Sequence, residues 1–416
     1  MNYFLLNLKL NGIKNIEKEI EIDFYKKDLK NFSPINYNVK GIFGPNGIGK
    51  TAILKSIEII KNIVINNYYL TDSENLNLLH KLINKNTKKM NIEITFLNFN
   101  NKKNDKKYIY YVELEIKHND IFISKESIKT ENKSKELIIE LGQILNNSLF
   151  ENSALIEDIS KNLLNKRSIL NIIKDFEKDN LLKDNLLKDN DKETFVNLFN
   201  FFKNLYIKTD NYQYNMLDII NLMDIDDKYD MRIPKKKGTL EILKKDFERK
   251  TKFLKLFKKD LSSISFEKKD DGVYYYLNIF FNYNNLEISY SFESQGIKLL
   301  FILHSYLDKI LNGGIVLIDE IDSSIHDVYL NKIIEFFSEE GKGQLIFTSH
   351  NTTLLNTLRK YNNSIDFINE NIEIVPWIKN GNSSAFNKYR EGYIKGLPFN
   401  IVESDFYEIF SNEEGV

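Results

Sequence analysis

Alternation of apolar and polar residues near the start of the chain is typical of β-strands. Residues 3–10 and 17–24 both show this pattern, the second most clearly at Ile20, Ile22 and Phe24. We therefore expect two strands to open the fold.

The apolar spacing then lengthens to three or four residues, as Ile53, Ile57 and Ile60 show. This period predicts a buried helix. The apolar run 39–43 before it predicts a short strand, so a glycine-rich turn at 44–49 joins a strand to a helix.

Three further runs, 92–97, 108–116 and 121–128, predict strands that extend the first two into an antiparallel lobe. Between Gly142 and Pro234 there is neither glycine nor proline, and apolar residues recur in steps of three and four. Such a stretch predicts a helical insertion.

Strand patterns return at residues 273–292. The segments that follow, 293–311, 314–337 and 344–358, alternate between apolar strand and helix patterns. This rhythm is typical of a mainly parallel sheet flanked by helices.

Composition narrows the classes of function. Lys and Arg number 58 against 59 Asp and Glu, a formal net charge of −1, so the chain lacks the basic excess that coats nucleic acid. The absence of cysteine excludes disulfides, thiolate metal sites and cysteine nucleophiles. The sequence shows no signal peptide and no long apolar run, so we expect a cytoplasmic protein with no membrane partner.

A glycine-rich segment, GPNGIGKT at 44–51, is the first motif in the chain that indicates a binding site. It fits the P-loop pattern of Gly, four residues, Gly, Lys and Thr, and it lies between the predicted strand and helix. In such a loop Lys50 holds the β- and γ-phosphates, and the Thr51 hydroxyl ligates Mg²⁺. The backbone N–H groups expected around the phosphates belong to Gly44, Asn46, Gly47 and Gly49. The sequence therefore predicts a site for a nucleoside triphosphate and Mg²⁺.

A second apolar run, 315–318, ends in Asp319 and Glu320. Beside a P-loop, the first carboxylate holds Mg²⁺ through water, and the second is placed to polarise the attacking water as the catalytic base. Together with Lys50, these residues predict an NTPase, although they do not indicate which kind.

Two further segments indicate the class of ATPase. Ser294 and Gly296 open an apolar helix before the Asp-Glu strand, and His350 ends an apolar strand after it. At this point the chain resembles the heads of ABC-type ATPases, which carry a Ser-x-Gly signature and a switch histidine in those places.

More narrowly, five motifs resemble the compact bacterial ATPases of abortive-infection and phage-defence operons. In chain order they are GPNGIGKT, FESQGIKLLF, GGIVLIDEIDSSIH, QLIFTSHNTTLL and YREGYIKGLPF. These ATPases are of the RloA and AbiLi type, related to the ATPase part of the OLD nucleases and to RecF and SMC heads. The resemblance covers about residues 1–60 and 285–400.

The resemblance implies a role for each matching residue. Ser294 and Gly296 would reach the γ-phosphate of a nucleotide held by a second protomer. His350 would contact the γ-phosphate and position the attacking water, as a catalytic residue beside Lys50 and Glu320. The loop that would cross the dimer interface contains Ser323, Ser324 and His326.

Some features of ABC-type heads are not matched. The signature lacks the double glycine of transporters, and Ile297 stands where this family often has threonine. The glutamine loop expected after strand 92–97 is not assignable from the sequence. Lys14 and Asn15 stand where related heads approach the base or ribose.

These inferences predict an α/β P-loop NTPase with an ABC-type head, made of an antiparallel β lobe and a mainly parallel sheet flanked by helices, together with a helical insertion. We expect residues 1–130 to form the N-terminal part of the head, 131–262 the mainly helical insertion, and 263–416 the C-terminal part.

The resemblance also implies a dimerising ATP-driven switch in an antiviral defence module. It would act as a homodimer or higher homo-oligomer with a separately encoded, nuclease-like effector. Residues 351–416 are too few for a fused nuclease domain, so we expect none. The main alternative is a DNA-repair ATPase of the RecF or SMC kind that binds DNA directly. A transporter subunit and a scaffold that binds ATP without cleaving it are further alternatives.

Overall fold

The computed structural model of the 416-residue chain describes residues 2–26, 28–99, 105–131, 135–150, 166–178, 189–209, 229–377 and 385–390. Within these ranges the chain forms three β-sheets, of seven, six and four strands, with α-helices packed against them. The predicted motif YREGYIKGLPF lies almost entirely outside the described residues.

Seven strands form an antiparallel sheet. They are β1 (Asn2–Asn11), β2 (Ile20–Asp23), β4 (Lys89–Phe99), β5 (Lys106–Lys117), β6 (Asp120–Thr130), β7 (Lys135–Glu140) and β8 (Gln143–Asn147), in the order β2-β1-β4-β5-β6-β7-β8. The β5–β6 hairpin closes through His118 and Asn119, whose φ angles of 51° and 63° match a two-residue turn of the hairpin-forming kind. This sheet is the antiparallel lobe that the sequence predicts.

Six strands form the sheet that bears the P-loop. They are β3 (Val39–Phe43), β9 (Leu205–Lys208), β14 (Ile315–Ile318), β15 (Gln344–Ser349), β16 (Ile365–Ile368) and β17 (Ile374–Pro376), in the order β17-β16-β3-β15-β14-β9. All pairings except that of β17 are parallel. Since parallel strands end at one edge, the residues after β3, β14 and β15 become neighbours there.

A smaller antiparallel sheet contains β10 (Met231–Pro234), β11 (Leu261–Asp270), β12 (Tyr274–Tyr283) and β13 (Glu287–Ser289). Its central strand β12 buries Leu277, Ile279 and Phe281, which follow the alternation of a half-buried strand. The signature segment begins shortly after β13.

The helices pack on the sheets and complete two large apolar cores. They are α1 (Lys50–Ile65), α2 (Ser73–Leu82), α3 (Ile169–Lys178), α4 (Asp189–Lys203), α5 (Thr239–Leu254), α6 (Gln295–Leu311), α7 (Asp327–Glu340), α8 (Leu354–Leu358) and α9 (Ala385–Arg390). One core contains α1, α3 and α4 against the antiparallel lobe, and the other contains α5, α6 and α7. No helix in the described part of the chain is both long and apolar enough to cross a membrane.

Within its described residues, the segment 131–262 contains short strands in addition to the helices that the sequence predicts. It contains α3, α4 and α5, but also β7, β8, β9, β10 and the start of β11. Of these, β9 pairs in parallel with β14, Leu205 opposite Ile315, and so belongs to the sheet that bears the P-loop. The apolar run FFKNLYIK passes from α4 into β9, so its spacing alone does not separate helix from strand. The three domain boundaries remain a prediction.

Gln344, a buried residue at the start of β15, joins the two large sheets. Its side-chain oxygen accepts a hydrogen bond from Leu5 N at 2.6 Å, and its amide donates to Leu5 O at 3.0 Å. The pairing of β1 with β4 shifts register between Leu5 and Asn7. Gln344 therefore satisfies the Leu5 backbone next to a bulge, where a buried N–H would otherwise be costly.

Candidate functional site

The P-loop, residues 44–51, follows β3 and ends in the first turn of α1. Gly47 and Gly49 have φ angles of 76° and 116°, a region that residues with a side chain rarely adopt. Gly44 lies against β16, because a Cβ there would stand 2.8 Å from Ile368 O. The glycine spacing found in the sequence is therefore what this turn requires.

The other P-loop residues differ in exposure, and one residue outside the loop supports it. Asn46 is exposed, and Thr51 is partly buried in the first turn of α1. Asn15 donates from Nδ2 to Gly47 O and Ile48 O, both at 3.4 Å, so it supports the loop from the side of β1. The N-terminus of α1 faces this turn, an arrangement that favours anions.

Lys50 lies at the centre of the site and is 5% exposed. Its Nζ donates to Gly44 O at 2.8 Å and to Pro45 O at 2.7 Å, and lies 3.4 Å from His350 Nδ1. Burial lowers the pKa of Lys50 to about 8, while the nearby carboxylates, led by Glu320, act to raise it. The ammonium group is therefore held between backbone carbonyls, an imidazole and acidic side chains.

Asp319 follows β14 and is completely buried. Its Oδ1 accepts a hydrogen bond of 2.5 Å from the Thr348 hydroxyl, and its backbone N–H donates to Lys208 O on β9. Its Oδ2 is also buried and has no hydrogen-bond partner among the described residues. A buried carboxylate oxygen without a partner is costly unless a cation or water meets it.

The chemistry of this carboxylate fits Mg²⁺. Hard oxygen ligands suit Mg²⁺, which usually binds one or two protein ligands together with substrate phosphates and water. Thr51 supplies a hydroxyl in the first turn of α1, beside Lys50. In the described ranges no group of three or more His, Cys, Asp or Glu side chains could hold a metal by itself.

Glu320 and His350 face each other across the edge of the sheet. His350 Nε2 lies 3.7 Å from Glu320 Oε1, and the two side chains are 34% and 41% exposed. Glu320 has a φ of 46°, an uncommon conformation for a residue with a side chain and one often found at functional sites. The His350 N–H donates to Asp322 Oδ2 at 3.3 Å. Both side chains are therefore reachable from solvent yet fixed at their backbones.

The signature caps the helix that follows it. Ser294 Oγ accepts from Ile297 N at 3.4 Å at the start of α6, and the exposed Ser294 side chain stands at its N-terminus. A Cβ on Gly296 would lie 2.7 Å from Ser324 O, so glycine allows the loop before α7 to pass closely. In this single chain the signature therefore contacts the Ser323–His326 loop, the other element that the resemblance implies at a dimer interface.

Two residues that the sequence analysis did not single out belong to this site. Thr348 contacts Asp319 through its side chain, and Asp322 contributes to the electrostatic environment of Lys50 and accepts from His350 N. The only sequence signals are a hydroxyl inside an apolar strand and a third acid after the Asp-Glu pair. Neither signal identifies a site residue by itself, because both depend on β14 lying beside β15.

Among solved structures, the chain is similar to the Smc head domain with an extended coiled coil, bound to the C-terminal domain of ScpA derived from Pyrococcus furiosus. That match has 14% identity, covers 90% of this chain and 96% of that chain, and has a TM-score of 0.43. The chain is also similar to the recombination mediator protein RecF with ATP, with 13% identity, 90% and 99% coverage and a TM-score of 0.39. At this level the likenesses support no functional argument. Comparison with curated proteins gives no match.

A family match covers most of the chain. Residues 40–356 match the family described as "AAA domain, putative AbiEii toxin, Type IV TA system". The matched range includes every predicted site residue from Gly44 to His350. This finding confirms the predicted resemblance to ATPases of the abortive-infection type, and the chain belongs to this AAA family.

Proposed function

We propose that this chain binds ATP with Mg²⁺ and hydrolyses it to ADP and phosphate. The observation that carries the proposal is the convergence of Lys50, Glu320 and His350 at one edge of the parallel sheet. His350 lies 3.4 Å from Lys50 Nζ and 3.7 Å from Glu320 Oε1. An ammonium group, an imidazole and a carboxylate thus border one space at the N-terminus of α1.

Each of these residues has a task in phosphoryl transfer. Lys50 places positive charge against the β- and γ-phosphates, and His350 contacts the γ-phosphate. Glu320 orients the attacking water and accepts its proton as the new P–O bond forms and the bond to the β–γ bridging oxygen breaks. Positioning and electrostatic stabilisation supply most of the rate enhancement in this reaction class.

Thr51 and Asp319 would hold Mg²⁺, which supplies charge neutralisation on the phosphates when it is bound. Asp319 Oδ2, which is buried and has no hydrogen-bond partner in the part of the chain that the structure describes, supports this assignment. The P-loop backbone at Gly44, Gly47 and Gly49 would receive the phosphate oxygens.

We further propose that ATP closes two heads into a dimer. Ser294 is exposed at the N-terminus of α6, and Ser324 lies beside Gly296, so both elements share one surface. Hydrolysis would reopen the dimer and release or activate a separately encoded effector. The family description, which names a putative AbiEii toxin of a Type IV TA system, is consistent with a role in a defence module. We propose that this module is antiviral and acts in the cytoplasm. DNA binding that weakens steeply with salt would instead favour the RecF-like alternative.

Two substitutions test the ATPase proposal. Glu320→Gln should lower kcat at least about 100-fold, because it removes the proton acceptor, while ATP binding persists and the dimer accumulates. Lys50→Ala should abolish measurable ATP binding, since the phosphates lose their main cationic partner. Phosphate release and equilibrium binding of a fluorescent ATP analogue measure the two effects.

Glu241→Gln is the matched control, because it makes the same chemical change at an exposed residue of α5. This variant should keep wild-type turnover. Wild-type turnover by Glu320→Gln would contradict the assignment of the base. Unchanged ATP affinity in Lys50→Ala would contradict the nucleotide site itself.

A further inference from the structure

One buried hydroxyl contacts the residues that end β14. Thr348 lies on β15, between β3 and β14, and has no exposed surface. Its Oγ1 donates to Asp319 Oδ1 and accepts from Glu320 N at 2.8 Å. Its backbone oxygen accepts from Ile321 N at 3.1 Å. Three consecutive residues of the site are thus held by a single residue of the neighbouring strand.

The direction of these hydrogen bonds is fixed. A backbone N–H can only donate, so Glu320 N must donate to the threonine oxygen. The single hydroxyl hydrogen is then free to go to the Asp319 carboxylate, a charge-assisted bond of 2.5 Å. A valine of the same shape would leave both the carboxylate oxygen and the amide without this partner.

Asp319 is oriented as a consequence. With Oδ1 bound to Thr348, only Oδ2 remains, and that oxygen is buried without a partner among the described residues. The Asp319 carboxylate is therefore held so that only Oδ2 is available to a ligand. Hydrogen bonds to ligating side chains commonly tune metal affinity in this way.

Glu320 is held by the same hydroxyl. Its left-handed backbone, with φ of 46°, is strained for a residue with a side chain and persists only when neighbouring contacts hold it. The bond from its N–H to Thr348 is such a contact. Because His350 directly follows β15, two residues after Thr348, the hydroxyl links the Glu320 backbone to the segment that leads to the imidazole.

We propose that Thr348 is a positioning residue that aligns Asp319 for Mg²⁺ and Glu320 for the attacking water at once. The inference rests on the proposed ATPase function and deepens it. It predicts that loss of one hydroxyl disturbs metal dependence and turnover together, although Thr348 itself touches neither ATP nor Mg²⁺.

Thr348→Val and Thr348→Ser test the inference in the full chain. The valine removes the hydroxyl with little change in volume, and the serine keeps the hydroxyl. In Thr348→Val the half-saturating Mg²⁺ concentration for hydrolysis should rise about tenfold or more, and kcat should fall by a similar factor. Affinity for a fluorescent ATP analogue in EDTA should stay within about twofold of wild type. Thr348→Ser should recover most of both losses.

Thermal unfolding and calorimetric nucleotide titrations with and without Mg²⁺ complete the test. A purely structural role would lower the unfolding temperature of Thr348→Val but leave the Mg²⁺ dependence of its folded fraction unchanged, and that result would overturn the inference. Equal loss in Thr348→Ser would also overturn it. If the wild type gains nucleotide affinity from Mg²⁺ and Thr348→Val gains as much, the inference fails while the nucleotide site stands. If the wild type binds no nucleotide, the proposed function fails first.

Discussion

Burial and charge act in opposite directions on Lys50. Its removal from water disfavours the ammonium form and lowers the pKa to about 8, although Glu320, Asp319 and Asp322 favour that form. A triphosphate would add several negative charges beside the same atom. Binding of ATP should therefore change the protonation of Lys50 as well as its contacts.

This change can be measured as proton uptake. At pH 9 the Lys50 side chain of the free protein is mostly neutral, since its pKa is about 8. ATP raises this pKa, so binding at pH 9 should take up close to one proton, whereas binding at pH 6.5 should take up about none. Calorimetric titration in two buffers of different ionisation enthalpy gives the number of protons.

Lys50→Arg is the control, because arginine stays charged across this range. Its ATP binding at pH 9 should take up no proton from this position. Equal uptake by Lys50→Arg and wild type would assign the proton to another group and contradict the argument.

At the scale of residues, the sequence predicts the parts of the site that local geometry dictates. Gly47 and Gly49 are needed because their backbone is left-handed, and this requirement is visible in the P-loop pattern itself. Thr348 is different, because its contact with Asp319 exists only through the register of two strands that are distant in sequence. No local pattern distinguishes it from an ordinary threonine in a strand.

At the scale of elements, the same contrast separates hairpins from parallel strands. Strands β5 and β6 are predicted because each run shows its strand pattern locally, and the two runs are close together in the sequence. In contrast, β9 has four residues, follows α4 directly and pairs with β14 far along the chain. Its strand character comes from the partner rather than from its own spacing, so the sequence analysis does not distinguish this strand from the helical insertion predicted around it.

The start of α3 depends on a buried acid from the antiparallel lobe. Glu126 on β6 accepts from Ile169 N at 3.0 Å and from the Tyr110 hydroxyl at 2.6 Å. Burial raises the pKa of Glu126 to about 7, against the opposing effect of these hydrogen bonds. The folded state thus keeps the proton of this carboxyl at pH values where the unfolded chain loses it.

Stability should consequently fall as pH rises from about 4.5 to about 7. The unfolded carboxyl ionises from near pH 4.5 and the folded one only near pH 7. A raised acid pKa therefore costs about 3 kcal/mol of unfolding free energy above pH 7, and nothing below pH 4.5. Glu126→Gln removes the ionisable group. The free energy of unfolding of this variant, relative to that of the wild type, should therefore rise by about 3 kcal/mol between pH 4 and pH 8.

Urea unfolding of both proteins at the two pH values measures the difference. Glu241→Gln, the exposed control on α5, should follow the wild-type pH profile. If Glu126→Gln also follows that profile, Glu126 is ionised in the folded state and the argument is wrong.

At the scale of the whole molecule, the site lies where separately built parts meet. Gln344 ties β15 to β1, so the antiparallel lobe and the parallel sheet are joined through the strand that precedes His350. The signature at Ser294 and the loop at Ser324 lie next to the second apolar core, which is built around α5, α6 and α7. A second head that closes on ATP would therefore bring the P-loop of one protomer against the signature at Ser294 of the other protomer.

A pair of substitutions at Ser294 tests this arrangement, because the residue caps α6 and stands exposed. Aspartate and asparagine are both good N-caps, so Ser294→Asp and Ser294→Asn should each preserve α6. Only the aspartate would set a negative charge against the triphosphate of the partner, a repulsion of roughly 1–4 kcal/mol at contact distance.

In the Glu320→Gln background, Ser294→Asp should weaken ATP-dependent dimerisation at least about tenfold in sedimentation equilibrium, and Ser294→Asn should dimerise about as well as the Glu320→Gln parent. ATP affinity of the separate heads should be equal in both, since each keeps its own P-loop. Equal dimerisation by the two variants would mean that the signature does not meet the nucleotide of a second protomer.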